Sequence, residues 1–312
     1  MDYFRFILRR VLQSIPVLLG VGLLTFFIMR MVPGDPALIM LGRHATPERL
    51  AVLHEKFGLD KSIWIQAGYF VRDLARGDLG TSIITQEPVT ELIFRRVEVT
   101  LFLIAYSTVL ALLITLPVAT IAARNRDRLI DQIARGFFTV TMTMPNFWVG
   151  IILMLVFSIY LGLFPVSGYG VGFLGHLRHL FLPSLTIGLY LSSLAIRSLR
   201  TSLLDLFGAG HVSFARAKGL SESKVFSGHV LRNGLISTVT VLGITVGWLY
   251  GSSAVIERVF SIPGAGLLLI DSVFRRDYPV IQGLIITFGV LVILTNFLVD
   301  LIYALLDPRV RV

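Results

Sequence analysis

The chain of 312 residues contains no cysteine. This excludes a disulfide framework, a thiolate metal centre and an iron–sulfur cluster. Charge is scarce: only 15% of residues are Asp, Glu, Lys or Arg, against about 25% in an ordinary soluble domain. Acids are the scarcer sign, with 19 Asp+Glu against 28 Lys+Arg and a net charge of +9. No polar stretch is long enough for a separate soluble catalytic domain. Apolar residues, by contrast, make up 55% of the chain. The mean hydropathy is +0.80, and the apolar residues come in long runs. Together these define an integral membrane protein.

Six stretches are expected to cross a bilayer, near 11–32, 99–123, 136–163, 181–202, 234–256 and 281–305. The first follows Arg5, Arg9 and Arg10, and a Pro33-Gly34-Asp35-Pro36 turn follows it in place of a cleavage site, so it reads as an uncleaved anchor. The connections differ in charge. The N-terminus, the 124–135 connection, the 197–232 connection and the C-terminus together carry fifteen bases and six acids. The 33–98 segment carries eight bases and nine acids. Lys and Arg accumulate in cytoplasmic loops, so both termini are expected in the cytoplasm and 33–98 outside it. The surplus of +9 is then an orientation signal, not a nucleic-acid footprint.

The 33–98 insert should contain two short helices. Thr46 is placed to cap one beginning at Pro47, with Leu50, Leu53 and Phe57 on one face. A second amphipathic stretch runs from Ile63 to Leu74. The cytoplasmic segment 203–233 carries Ser213-Phe214-Ala215-Arg216-Ala217-Lys218-Gly219-Leu220-Ser221-Glu222. This reads as helix, glycine stop, new helix. The small residues at 215 and 217 permit close approach, Gly219 suits a left-handed helix terminus, and Ser221 and Glu222 suit the start of the next helix. A solvated positive loop that sets topology would have the same composition; a docking element for a cytoplasmic partner is the more specific reading.

These residues resemble the loop of bacterial binding-protein-dependent ABC importers, Glu-Ala-Ala-x3-Gly, with Ser213 in place of Glu and Phe214 in place of the first Ala. The departures, with His229-Val230-Leu231-Arg232-Asn233 following, resemble the dipeptide/oligopeptide branch. The likeness covers nearly the whole chain: Val32-Pro33-Gly34-Asp35-Pro36, Gly77-Asp78-Leu79-Gly80-Thr81-Ser82, Glu257-Arg258-Val259-Phe260 through Gly266, Arg276-Asp277-Tyr278-Pro279, Val299-Asp300-Leu301 and Leu306-Asp307-Pro308-Arg309 occur in the family's order. The insert after the first span resembles the B-type permease subunit. The resemblance implies an all-α protein with six transmembrane helices of importer-permease type and a small extracytoplasmic insert. It implies a second homologous permease, two cytoplasmic ATPases docked near 205–228 and an extracytoplasmic substrate-binding protein.

The chain lacks the Gly-x4-Gly-Lys-Ser/Thr phosphate loop. No cofactor is therefore expected in this chain, and ATP and Mg are expected on partner subunits, which makes this subunit a non-enzyme. Gly243, Gly247 and Gly251 share a face of the fifth span, for helix packing or for a gate between permeases. Pro145-Asn146-Phe147 lie in the third span, as a kink or as part of the pathway. Asn296 and Asp300 lie one turn apart and read as structural. Arg30 reads as snorkelling. His176 and His179 are three residues apart but lack the further ligands of a metal site.

The expected organisation is 1–32 for the N-terminus and first span, 33–98 for the insert and 99–312 for a five-span core. The expected role is a permease subunit for di- or oligopeptides in a bacterial inner membrane, in contact with lipid and not with nucleic acid. Importers of nickel, glutathione or other small solutes share the pattern. An ion-coupled secondary transporter would need embedded charge or broken helices in matching halves, and mid-span ionisable residues are few.

Overall fold

The computed structural model describes residues 3–31, 36–41, 46–57 and 60–306. The Pro33-Gly34-Asp35 turn, His44, and Asp307-Pro308-Arg309 with Arg311 lie outside the described residues. Within the described residues the chain is helical, with one isolated bridge between Thr81 and Pro88. In chain order the helices are α1 (Tyr3–Met31), α2 (Pro36–Leu41), α3 (Pro47–Phe57), α4 (Ile63–Ala75), α5 (Val89–Arg124), α6 (Leu129–Thr143) and α7 (Asn146–Leu153). They continue with α8 (Gly172–Phe207), α9 (Gly210–Ala217), α10 (Glu222–Val225), α11 (Arg232–Ser252), α12 (Ala254–Val259), α13 (Ala265–Arg275) and α14 (Tyr278–Leu306). The all-α class that the resemblance implies, with the apolar spans expected from the hydropathy, is what the chain forms.

Among the described residues, five helices are long and apolar enough to cross a membrane: Leu12–Met31, α5, α8, the Glu222–Ser252 helix and α14. The expected third span departs from a straight helix. Residues 136–163 divide between α6 and α7, which bend by 107° about Met144-Pro145. Proline crowds the residue before it out of the helical region. Met144 is accordingly extended at ψ 141°, and Pro145 opens the next helix at ψ 128°. The sequence suggested a kink; the chain makes a break. If the bent pair counts as one span, there are six.

The chain divides into two compact units. The first comprises residues 1–99 and 264–293. Thr46 caps α3 as expected, its hydroxyl accepting from the Arg49 amide at 3.3 Å. Glycines let helices approach here. A methyl group on Gly22 would meet Phe70 and Ile286 at 3.5–3.7 Å, and one on Gly283 would collide with Val89 at 2.7 Å. Asp277 joins the loop before α5 to the start of α14: it accepts from the Ser82 hydroxyl at 2.5 Å and the Ile83 amide at 3.0 Å. Two of the motifs that carried the family likeness are therefore one hydrogen-bonded cluster.

The second unit comprises residues 100–263 and 294–312. Its central helix is α8, which packs against α6, α7 and α11. Leu180, Leu191, Leu199 and Leu203 on α8 are fully buried. Polar residues also lie on this helix, and an unpaired hydroxyl in an apolar setting is costly. Thr186 and Ser193 donate back to the carbonyls of Leu182 and Leu189 at 2.8 and 2.7 Å, which satisfies both groups within the helix. Two π-helical stretches, Met154–Tyr160 after α7 and Phe226–Leu231 between α10 and α11, interrupt the α-helical ladder.

Candidate coupling surface and pathway residues

The expected helix–glycine–helix of the 213–222 segment is present. α9 ends at Ala217, Gly219 adopts φ +79°, and Ser221 precedes α10 with extended backbone. Ser221 makes no side-chain cap. Its carbonyl instead accepts from the Val225 amide at 2.9 Å. Arg216 donates to Glu222 at 2.8 Å and so clips the two short helices together across the glycine. Both side chains are exposed, and exposed pairs contribute about 0–1 kcal/mol. The clip sets direction more than stability.

The two small residues of the segment have different roles. Ala215 is buried, in one cluster with Val212, Val225 and Val230 against Leu199 and Leu203 of α8 and Ala119 and Ala123 of α5. Ala217 is exposed, as are Ser213, Phe214, Lys218, Gly219, Leu220 and Ser221. Phe214 is 62% exposed, with the Lys218 ammonium 4.6 Å from its ring centre. The segment thus has an apolar inner face anchored on two long helices and an outer face with an unburied aromatic ring. A cleft of about 460 Å³ adjoins it, lined by Arg124, Phe207, Arg216, Glu222 and Phe226 among others. The Arg124 guanidinium lies 4.4 Å from the Phe226 ring centre.

Asn146 and Phe147, at the start of α7, face a second cleft of about 150 Å³ together with Ile187, Leu249, Ser252, Ser253, Val255 and Ile256. Residues of the third- and fifth-span regions therefore meet around one space. Pro145, next to it, supplies the break that turns α7 toward it. The three glycines of α11 do not form a uniform surface. Gly243 is buried and a methyl group there would run into Val299 of α14, whereas a methyl on Gly251 would meet nothing within 4 Å. Gly247 is half-buried. His176 and His179 bond to the Tyr169 and Gly175 carbonyls, each at 2.9 Å. No group of three potential metal ligands occurs among the described residues. Asn296 is exposed and Asp300 half-buried near the end of α14. Arg30 lies 5.1 Å from the Phe26 ring centre.

Besides Asp277, two acids that the sequence does not mark as buried lie inside the described residues. Glu257 is fully buried. It accepts from the Thr100 hydroxyl at 2.8 Å and the Ser253 hydroxyl at 3.2 Å, so the second cleft, which Ser253 lines, borders a buried carboxyl group. Asp131 is also fully buried and receives both arms of the Arg200 guanidinium. Glu257 stood in a motif that carried the family likeness, and nothing local marked it as buried.

Residues 115–312 match the family described as the binding-protein-dependent transport system inner membrane component, and residues 3–104 match the N-terminal part of such components. A putative peptide transport system permease protein of Brucella abortus (strain 2308) is 39% identical, with 98% of each chain covered. The oligopeptide transport system permease protein AppB of Bacillus subtilis (strain 168) is 36% identical over 98% of this chain and 99% of its own. The dipeptide transport system permease protein DppB of Escherichia coli (strain K12) is 36% identical over 98% of both. Among solved structures, an inward-facing MetNI methionine ABC transporter chain aligns with TM-score 0.57 at 18% identity, over 69% of this chain and 96% of that one. That likeness extends to the fold alone. Full-length identity and the family match agree: the chain is a multi-pass membrane protein and belongs to the binding-protein-dependent transport system inner membrane components.

Proposed function

We propose that this chain is the permease subunit of an ATP-driven peptide importer, forming the pathway with a second homologous permease. The observation that carries this is full-length identity to permeases named for dipeptide and oligopeptide transport. Two cytoplasmic ATPases bind ATP and Mg and dock on the outer face of α9 and α10. An extracytoplasmic binding protein delivers the peptide, and the 33–98 insert helps receive it. Both termini lie in the cytoplasm, in keeping with the Lys and Arg asymmetry. This chain holds no cofactor and catalyses no reaction.

Coupling follows from packing. Val212, Ala215 and Val225 lie in one buried cluster with α8 residues. A displacement of α9 by a closing motor is therefore passed to α8, whose close-packed neighbours respond as rigid bodies. The α7 residues Asn146 and Phe147 and the fifth-span region line the pathway, with Gly247 near it on α11. A leucine side chain at Gly247 blocks transport in a variant that assembles normally.

The test is uptake of labelled di- and tripeptides by cells lacking only this chain. Loss of uptake, restored by the gene in trans, supports the reading. Normal peptide uptake with loss of nickel or glutathione uptake overturns the substrate class.

A further inference from the structure

Between α6 and α8 lies a cleft of about 510 Å³ that neither the coupling face nor the candidate pathway uses. Its lining combines two chemistries. Phe138, Met142 and Ile196 are apolar, and Arg135, Arg197 and Arg200 are cationic. The charges are unequally matched. Arg200 is held by Asp131 through two hydrogen bonds of 2.6 Å each. Arg135 approaches Asp127 at 3.8 Å and Asp131 at 3.6 Å. Arg197 is exposed, and no carboxylate lies within ion-pair distance of it among the described residues. Three guanidinium groups thus line the cleft, with Asp131 paired to Arg200 and Arg135, and Asp127 to Arg135.

The same helix presents an apolar surface. Ile130, Ile133, Phe137 and Val140 of α6 are each between 51% and 61% exposed. α6 belongs to the bent helix pair that is together long and apolar enough to cross a membrane, so an exposed apolar face on it suits contact with lipid. A small soluble anion would use the arginines and leave the apolar face unexplained. A purely apolar ligand would leave Arg197 uncompensated. An amphiphile with an anionic head satisfies both, and basic pockets between transmembrane helices are suited to such heads. The planar guanidinium matches a phosphate with two parallel donors.

We propose that this cleft binds an anionic phospholipid, with its phosphate at Arg197 and Arg135 and its acyl chains along the exposed face of α6. The inference concerns lipid binding and stands apart from the transported substrate. The test is thermal unfolding of the full chain, purified in mild detergent with the subunits that accompany it, against added phosphatidylglycerol, phosphatidylcholine or inorganic phosphate. Phosphatidylglycerol is expected to raise the Tm, and the other two to leave it unchanged. Arg197→Gln should raise the half-effective phosphatidylglycerol concentration about fivefold, the worth of one arginine at an anionic surface, without changing the lipid-free Tm. Arg197→Lys, which keeps the charge, should fall between the two and serves if the glutamine variant does not accumulate. An equal response to phosphatidylcholine or to phosphate alone overturns the proposal. So does an unchanged dose response in both variants. Loss of an accompanying subunit from Arg197→Gln would make the cleft a protein interface and overturn it as well.

Discussion

Arg200 grips Asp131 with two hydrogen bonds of 2.6 Å, between helices 69 residues apart in the chain. Asp131 also accepts from the Asp127 amide at 2.9 Å, so the carboxylate fixes the turn before α6 and ties that helix to α8. Removing one partner of a buried pair leaves an uncompensated charge, at a cost of about 3–5 kcal/mol. Asp131→Ala should therefore lower the unfolding midpoint sharply, while Asp127→Asn, which removes an exposed charge and keeps a residue suited to the left-handed backbone at φ 60°, should shift it little. Equal, small shifts for both would contradict the buried-pair assignment.

The Glu257 carboxyl group lies among hydroxyls. Thr100→Val keeps the shape of the side chain and removes its donor. A buried acceptor that loses one partner costs about 1–3 kcal/mol. The expected result is a loss of that order in denaturant unfolding, and a midpoint equal to wild type would argue against the bond from Thr100.

Gly243 and Gly251 differ in a way that separates packing from spacing. A methyl group at Gly243 collides with Val299, and one at Gly251 enters open space. Overpacking costs about 1–3 kcal/mol. Gly243→Ala should destabilise by that amount, Gly251→Ala should not, and adding Val299→Ala should recover most of the Gly243→Ala loss. Failure of the double variant to recover stability would mean that Val299 is not the obstacle.

Ala215 and Ala217 make a second matched pair. Ala215→Asp places a charge in the α8–α9 cluster and should reduce folded protein in the membrane. Ala217→Asp changes only the exposed face, so insertion should survive while ATP hydrolysis is uncoupled from uptake. Normal coupling in Ala217→Asp would remove α9 as the docking element.

What could be seen in the sequence divides along physical lines. Local signals were sufficient for Thr46-Pro47, where a capping hydroxyl and a proline mark the start of α3, and for Gly219, where a helix must end. Long apolar runs sufficed for α1, α5, α8 and α14. Relations across the chain left no local trace. Asp131 looked like one more loop acid until α8 brought Arg200 to it. Ser82 and Asp277, 195 positions apart, looked like separate motifs. The three glycines of α11 looked equivalent because spacing reports a face and not its occupant. The break at Met144-Pro145 is visible as a proline, but its 107° angle goes with the packing of α6 and α7 each against α8, which leaves no local trace.

In the proposed function this chain is a passive pathway driven by separate motors. That role is tested most directly by reconstituting the chain with its second permease, with and without the two ATPases, and measuring uptake of the peptide presented by the binding protein. ATP-dependent uptake is expected only when the ATPases are present. Uptake without them, driven by an ion gradient alone, would contradict it.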